Sequence, residues 1–128
     1  MTFMLDTHLI LWAAFNDPLM PAKAAEIIED EGHRLAFSSL NIWEVVIKSG
    51  LGRTDFRIDP HALRAKMLKN GFIEIHISSD HVLAVATLPK IHRDPFDRLL
   101  IAQASVEGFD LLTADPVVAS YPGRIIKV

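Results

Sequence analysis

Four short apolar runs, each leading into a segment with helical spacing and a hard stop, restrict the fold of this chain more than any other feature. Phe3-Met4-Leu5 ends at Asp6, and Leu35-Ala36-Phe37-Ser38 runs into Ser39. Phe72–Ile77 alternates apolar and polar residues, and Asp110-Leu111-Leu112-Thr113 gives way to Ala114-Asp115. Each has the length and apolar content of a strand. The segments between them are punctuated as helices. His8–Phe15 is closed by Asn16-Asp17-Pro18, Met20-Pro21 opens a helix through Asp30 that Gly32 stops, and Ser39–Lys48 ends at Gly50. Asp59-Pro60, Asp94-Pro95 and Asp115-Pro116 each set a capping acid before a proline at the first helical position. They predict helices to Asn70-Gly71, to Glu107-Gly108, and over a short span after 116. Ser79–Leu88 reads as one more short helix, and Arg124–Val128 as a last strand. The alternation predicts an α/β domain with a central, mainly parallel sheet of four to five strands flanked by helices.

Composition agrees with one folded domain over residues 1–128: half the residues are hydrophobic and 23% are charged. The absence of cysteine excludes a disulfide framework, a thiolate nucleophile and a cysteine-ligated zinc site. The longest unbroken apolar run, Leu9–Phe15, is far short of a membrane span. No basic segment precedes the first apolar residues, so Met1 onward does not read as a signal peptide. A soluble, cytoplasmic protein is expected.

Five acids stand in unusual places. Asp6 follows the first strand, Asp115 follows the fourth, Asp94 and Asp97 open the long helix, and Glu44 lies inside Ile42-Trp43-Glu44-Val45-Val46-Ile47. Each has an ordinary explanation. Asp6, Asp94 and Asp115 precede helices and read as N-caps, while Asp97 falls in a first turn, where the helix dipole favours an anion. Glu44 stands three residues after Asn41, resembling a capping box, and four before Lys48, a good ion-pair spacing. Capping does not explain why the acid-bearing helix starts follow strands one and four. In a parallel sheet these acids converge outside the carboxyl ends of the strands, where such folds build their sites. Two carboxylates 4 Å apart repel by about 4 kcal/mol at an effective dielectric near 20, so a group of four or five calls for a cation. All-oxygen ligation suits Mg²⁺ or Mn²⁺, and such sites favour phosphoryl chemistry.

Four blocks carry a resemblance. Asp6-Thr7-His8, Asn41-Ile42-Trp43-Glu44, His92-Arg93-Asp94-Pro95-Phe96-Asp97-Arg98-Leu99-Leu100-Ile101-Ala102-Gln103-Ala104 and Leu112-Thr113-Ala114-Asp115 together strongly resemble PIN-domain ribonucleases, and among them the VapC-like toxins of toxin–antitoxin pairs. The blocks keep the family's order and span nearly the whole chain. The resemblance implies a Rossmann-like parallel sheet and a Mg²⁺- or Mn²⁺-dependent endoribonuclease. By position, Asp6, Glu44 and Asp97 match the family's metal-binding acids and Asp115 its fourth. Asp94 belongs to the Arg-Asp-Pro-Phe-Asp stretch and reads as a further ligand or as a helix cap alone. Thr7 is placed to hydrogen-bond the first carboxylate or a water. Metal-activated water, rather than a ribose 2′-OH, would cleave the phosphodiester and leave 5′-phosphate and 3′-OH ends.

The formal charge of −3 does not oppose an RNA substrate, because setting the five acids aside leaves 11 acids against 13 bases. Lys48, Arg53, Arg93 and Arg98 lie near the acidic blocks as candidate phosphate contacts, with Lys48 and Arg98 equally readable as counter-ions. The resemblance also implies a homodimer, and an antitoxin laid across a groove near the early helices, with which Leu11, Trp12 and Phe15 are compatible. His8 and His92 are expected at the periphery of the site. Gly50-Leu51-Gly52-Arg53 lacks the lysine of a phosphate-binding loop. A haloacid-dehalogenase-type phosphatase needs an Asp where His8 stands, and a receiver domain leaves Glu44 unexplained. The remaining alternatives are a catalytically silent PIN-like module that binds RNA or a partner, and an RNA-processing PIN nuclease without an antitoxin.

Overall fold

Period-two alternation decides which way each strand faces. In the first strand, β1 (Thr2–Leu5), Phe3 and Leu5 join one hydrophobic cluster and Met4 the other. The second, β2 (Arg34–Ser38), divides Phe37 from Ala36 in the same manner, and the fourth, β4 (Asp110–Thr113), divides Leu112 from Leu111. The computed structural model, which describes residues 1–128, assembles these with β3 (Ile73–Ile75) and β5 (Ile125–Lys127) into a five-stranded sheet. Its order is β3-β2-β1-β4-β5 and every pairing is parallel.

Helices cover both faces, as an apolar sheet requires. One face is packed by α1 (Thr7–Ala14), α2 (Ala22–Glu29), part of α3 (Ser39–Gly50) and α4 (Pro60–Lys69), through Leu9, Ala24, Val45, Leu63 and Met67. The other is packed by α6 (Pro95–Glu107) and α7 (Pro116–Ala119), through Leu100, Ile101, Ala104 and Val118. A short α5 (Ser79–Ala84) lies against α6.

The punctuation behaves as the sequence predicts. Asp59, Asp94 and Asp115 each accept a backbone N–H from the first turn of their helices, with proline following. Gly108 ends α6 at φ +72°, a left-handed conformation that a side chain would strain. Several boundaries are corrected. The second helix starts at Ala22, because Pro21 stays extended. The third strand is only Ile73–Ile75, and Ser79–Leu88 divides into α5 and a 3-10 turn over Val85–Thr87. The capping box of α3 pairs Ser38 with Asn41, one turn before the Asn41–Glu44 spacing. A 3-10 turn over Thr54–Phe56, absent from the sequence reading, drives Phe56 fully into the core.

Candidate active site

The strand order puts β1 between β2 and β4, so the chain leaves β1 to build one half of the sheet and later returns on its other side. Such a switch point opens a crevice at the carboxyl ends of the strands. Asp6 follows β1, Glu44 lies in the helix after β2, Asp115 follows β4, and Asp94 and Asp97 open the helix that leads back to β4.

Asp6 is almost fully buried and caps α1, its Oδ1 accepting the Leu9 N–H at 3.0 Å. The hydroxyl of Thr113, at the end of β4, donates to Asp6 Oδ2. Thr113 Oγ1 in turn accepts the Asp115 N–H at 3.0 Å, which directs its own proton onto Asp6. Burial pushes the Asp6 carboxyl above its ordinary range, against the pull of the Thr113 and Leu9 hydrogen bonds. Asp115 itself is exposed and caps α7 through Val117.

Glu44 is also buried, and both of its oxygens are engaged. Thr7 donates to Oε1 at 2.5 Å, and Lys48 Nζ stands 2.5 Å from Oε2. Thr7 Oγ1 accepts from Asn41 Nδ2 at 3.0 Å, so the hydroxyl proton points at Glu44. Of the roles expected for Thr7, a hydrogen bond to the first carboxylate is not the one it makes: the α1 start faces α3 across the sheet end, and Glu44 is what it meets. Lys48 is itself largely enclosed, its ammonium 4.9 Å from the Phe56 ring centre and 5.5 Å from that of Phe96.

Asp97 meets His92, with Nε2 2.9 Å from Oδ2. Burial lifts its carboxyl to about 6, opposed by the His92 hydrogen bond and assisted by the charges of Asp94 and Glu44. Asp94 caps α6, its Oδ1 accepting from the Phe96 and Asp97 amides. The structure thus brings Asp97 within electrostatic range of Glu44 and Asp94, and ties Asp6 to Asp115 through Thr113. No three acidic or imidazole groups close around a single ion in this arrangement, and Lys48 is the cation that meets Glu44. The donor set, carboxylate oxygen throughout and costly to bury uncompensated, is chemically suited to a hard divalent cation.

Comparison with protein families gives one decisive result: a model of the PIN domain matches residues 3–123. The chain belongs to the PIN domain family. Solved structures share its fold. A VapBC2 structure from Rickettsia felis, bound to a promoter DNA fragment, contains a chain 15% identical at TM-score 0.70, with 99% of this chain and 98% of that one covered. DNA-bound VapBC from Salmonella typhimurium gives 16% identity at 0.68 over 99% and 98%. A toxin–antitoxin complex from Klebsiella pneumoniae gives 18% at 0.66 over 97% and 95%. Comparison with curated protein sequences returned no match.

The four basic candidates of this PIN domain are placed very differently. Lys48 holds Glu44, and Arg53 makes a two-point contact with Asp55. Arg98 is turned inward, donating to the Pro89 carbonyl at 2.8 Å and the Tyr121 hydroxyl at 3.0 Å. Arg93 is exposed and makes no hydrogen bond or ion pair with the rest of the chain. Sequence reasoning passed over Thr113 and Tyr121 as site residues. The Thr-x-Asp spacing of 113–115 is a local signal for the first, through its backbone hydrogen bond two residues on; nothing near Tyr121 gives a signal for the second.

Proposed function

We propose that this single PIN domain, residues 1–128, is a Mg²⁺- or Mn²⁺-dependent endoribonuclease acting in the cytoplasm as the VapC-like toxin of a toxin–antitoxin pair. The observation that carries the proposal is the placement of Asp6 directly after β1, of Glu44 in α3 against Thr7 at the start of α1, and of Asp97 in the first turn of α6, its carboxyl lifted to about 6. Asp6 and Asp97 would hold a cation directly, while Glu44 and Asp115 hold a second or orient waters; Asp94 acts as the cap of α6. A bound divalent cation supplies Lewis-acid stabilisation of phosphate oxygens and an acidified water. The chain's own contribution is orientation: Thr113 fixes Asp6, Thr7 fixes Glu44, and His92 fixes Asp97. Arg93 is available to a phosphate as it stands, and Lys48 becomes available once it leaves Glu44. Attack by water breaks the P–O3′ bond, leaving 5′-phosphate and 3′-OH.

An antitoxin partner is supported by the VapBC and toxin–antitoxin complexes among the structural relatives. It is supported also by a groove of about 420 Å³ beside α1, lined by Trp12, Phe15, Leu19 and Ile58. A homodimer is supported by Trp43, Val46, Ile47 and Leu51, an exposed apolar row at α3. No helix is long and apolar enough to cross a membrane.

The test is end-labelled RNA incubated with the protein in Mn²⁺, Mg²⁺ or EDTA, with Asp97→Ala alongside. Cation-dependent cuts bearing 3′-OH ends, lost in the variant, are expected. Ends bearing 2′,3′-cyclic phosphate overturn the mechanism. A folded protein that binds no divalent cation is instead a silent binding module.

A further inference from the structure

Tyr121 is buried in the cluster packed by α6 and α7, six residues beyond Asp115, and its hydroxyl is saturated. It accepts from Arg98 Nη1 at 3.0 Å and from the His92 backbone N–H at 3.4 Å, and stands 2.6 Å from His92 Nδ1. With both lone pairs engaged by N–H donors, the phenol has only its own proton to offer the ring. Nδ1 is therefore the acceptor, the ring hydrogen resides on Nε2, and Nε2 donates to Asp97 Oδ2 at 2.9 Å. No protein donor reaches the other Asp97 oxygen.

The direction of this relay repeats at the other two acids. Asn41 feeds Thr7, which feeds Glu44, and the Asp115 amide feeds Thr113, which feeds Asp6. Each carboxylate is held by a donor whose own polarity is set by a further donor, so each is presented as an acceptor.

Building on the nuclease reading above, we infer that His92 is a positioning residue for Asp97, and that Tyr121 and Arg98 lock it in the tautomer that fixes one Asp97 oxygen and leaves the other to bind a cation. Arg98, a candidate RNA contact from its position in sequence, acts in this relay as its anchor.

The test combines Mn²⁺ affinity, read from free Mn²⁺ by electron paramagnetic resonance, with nitrogen-15 NMR of His92 in the metal-free protein. The spectrum is expected to show Nε2 carrying hydrogen and Nδ1 bare. Tyr121→Phe is expected to lose that single tautomer and weaken Mn²⁺ binding about ten-fold, His92→Leu at least as much, while His92→Gln restores part of the affinity by returning a donor. Where His92→Leu fails to fold, the wild-type spectrum and Tyr121→Phe decide. A wild-type His92 with hydrogen on Nδ1, or folded Tyr121→Phe and His92→Leu variants that bind Mn²⁺ as the wild type does, overturns the inference and leaves the nuclease reading intact. A wild type that binds no Mn²⁺ overturns the nuclease reading instead.

Discussion

Lys48 lies one helical turn beyond Glu44 and closes on its carboxylate, with Nζ 2.5 Å from Oε2 and both side chains mostly shielded from solvent. Removing one partner of a buried pair leaves the other charge uncompensated, which is strongly destabilising. Lys48→Met is expected to lose about 3 kcal/mol of stability in EDTA. On the nuclease reading a divalent cation would supply Glu44 with a replacement, so the loss should shrink in millimolar Mn²⁺. Thermal denaturation with and without Mn²⁺ checks this; an equal loss in both buffers assigns Lys48 a purely structural role.

Asp97 sets a pH dependence whose sign follows from its raised carboxyl. Between the ordinary value of 3.8 and about 6 the folded chain holds a proton that the unfolded chain has released. Stability therefore falls as pH rises through that window, by about 3 kcal/mol at most, and the cost is full above it. Asp97→Asn should raise the melting temperature at pH 7.5 in EDTA and change it little at pH 4. Stabilisation of the wild type by Mg²⁺ or Mn²⁺ should fade as pH drops below about 6, because binding requires the ionised form.

Asp94 separates two roles by substitution. Asp94→Ala removes the cap of α6 and is expected to cost about 1 kcal/mol, measured by urea unfolding. Asp94→Ser keeps a capping oxygen and discards the charge, so stability and RNA cleavage should both stay near wild type. Loss of cleavage in a stable Asp94→Ser protein makes Asp94 a ligand.

Thr113→Val preserves shape and deletes one hydroxyl. Asp6 then loses its donor at Oδ2 and the Asp115 amide its acceptor, so a loss of about 2 kcal/mol is expected by urea unfolding. Cleavage should fall with it, whereas Thr113→Ser retains both contacts and should restore them.

What the sequence makes legible is what depends on near neighbours. Proline after aspartate announces three helix starts, and a lone glutamate among apolar residues announces that Glu44 has a special partner. The contacts that orient the acids span long separations: Thr7 to Glu44 is 37 residues, Thr113 to Asp6 is 107, and Tyr121 to His92 is 29. The first two exist because β1 pairs with both β2 and β4, and the third because Tyr121 packs in the cluster shared by α6 and α7; no local pattern encodes partners brought in this way. The Thr54–Phe56 turn was missed for the same reason: Phe56 is held by the cluster it fills rather than by its own helical propensity.

The position of β1 bears on when the acids come to be oriented. Asp6 is synthesised 107 residues before Thr113, the side chain that aims its carboxylate. Until β4 docks against β1, Asp6 has no donor at Oδ2, so a chain halted short of β4 carries its first acid without the hydroxyl that orients it.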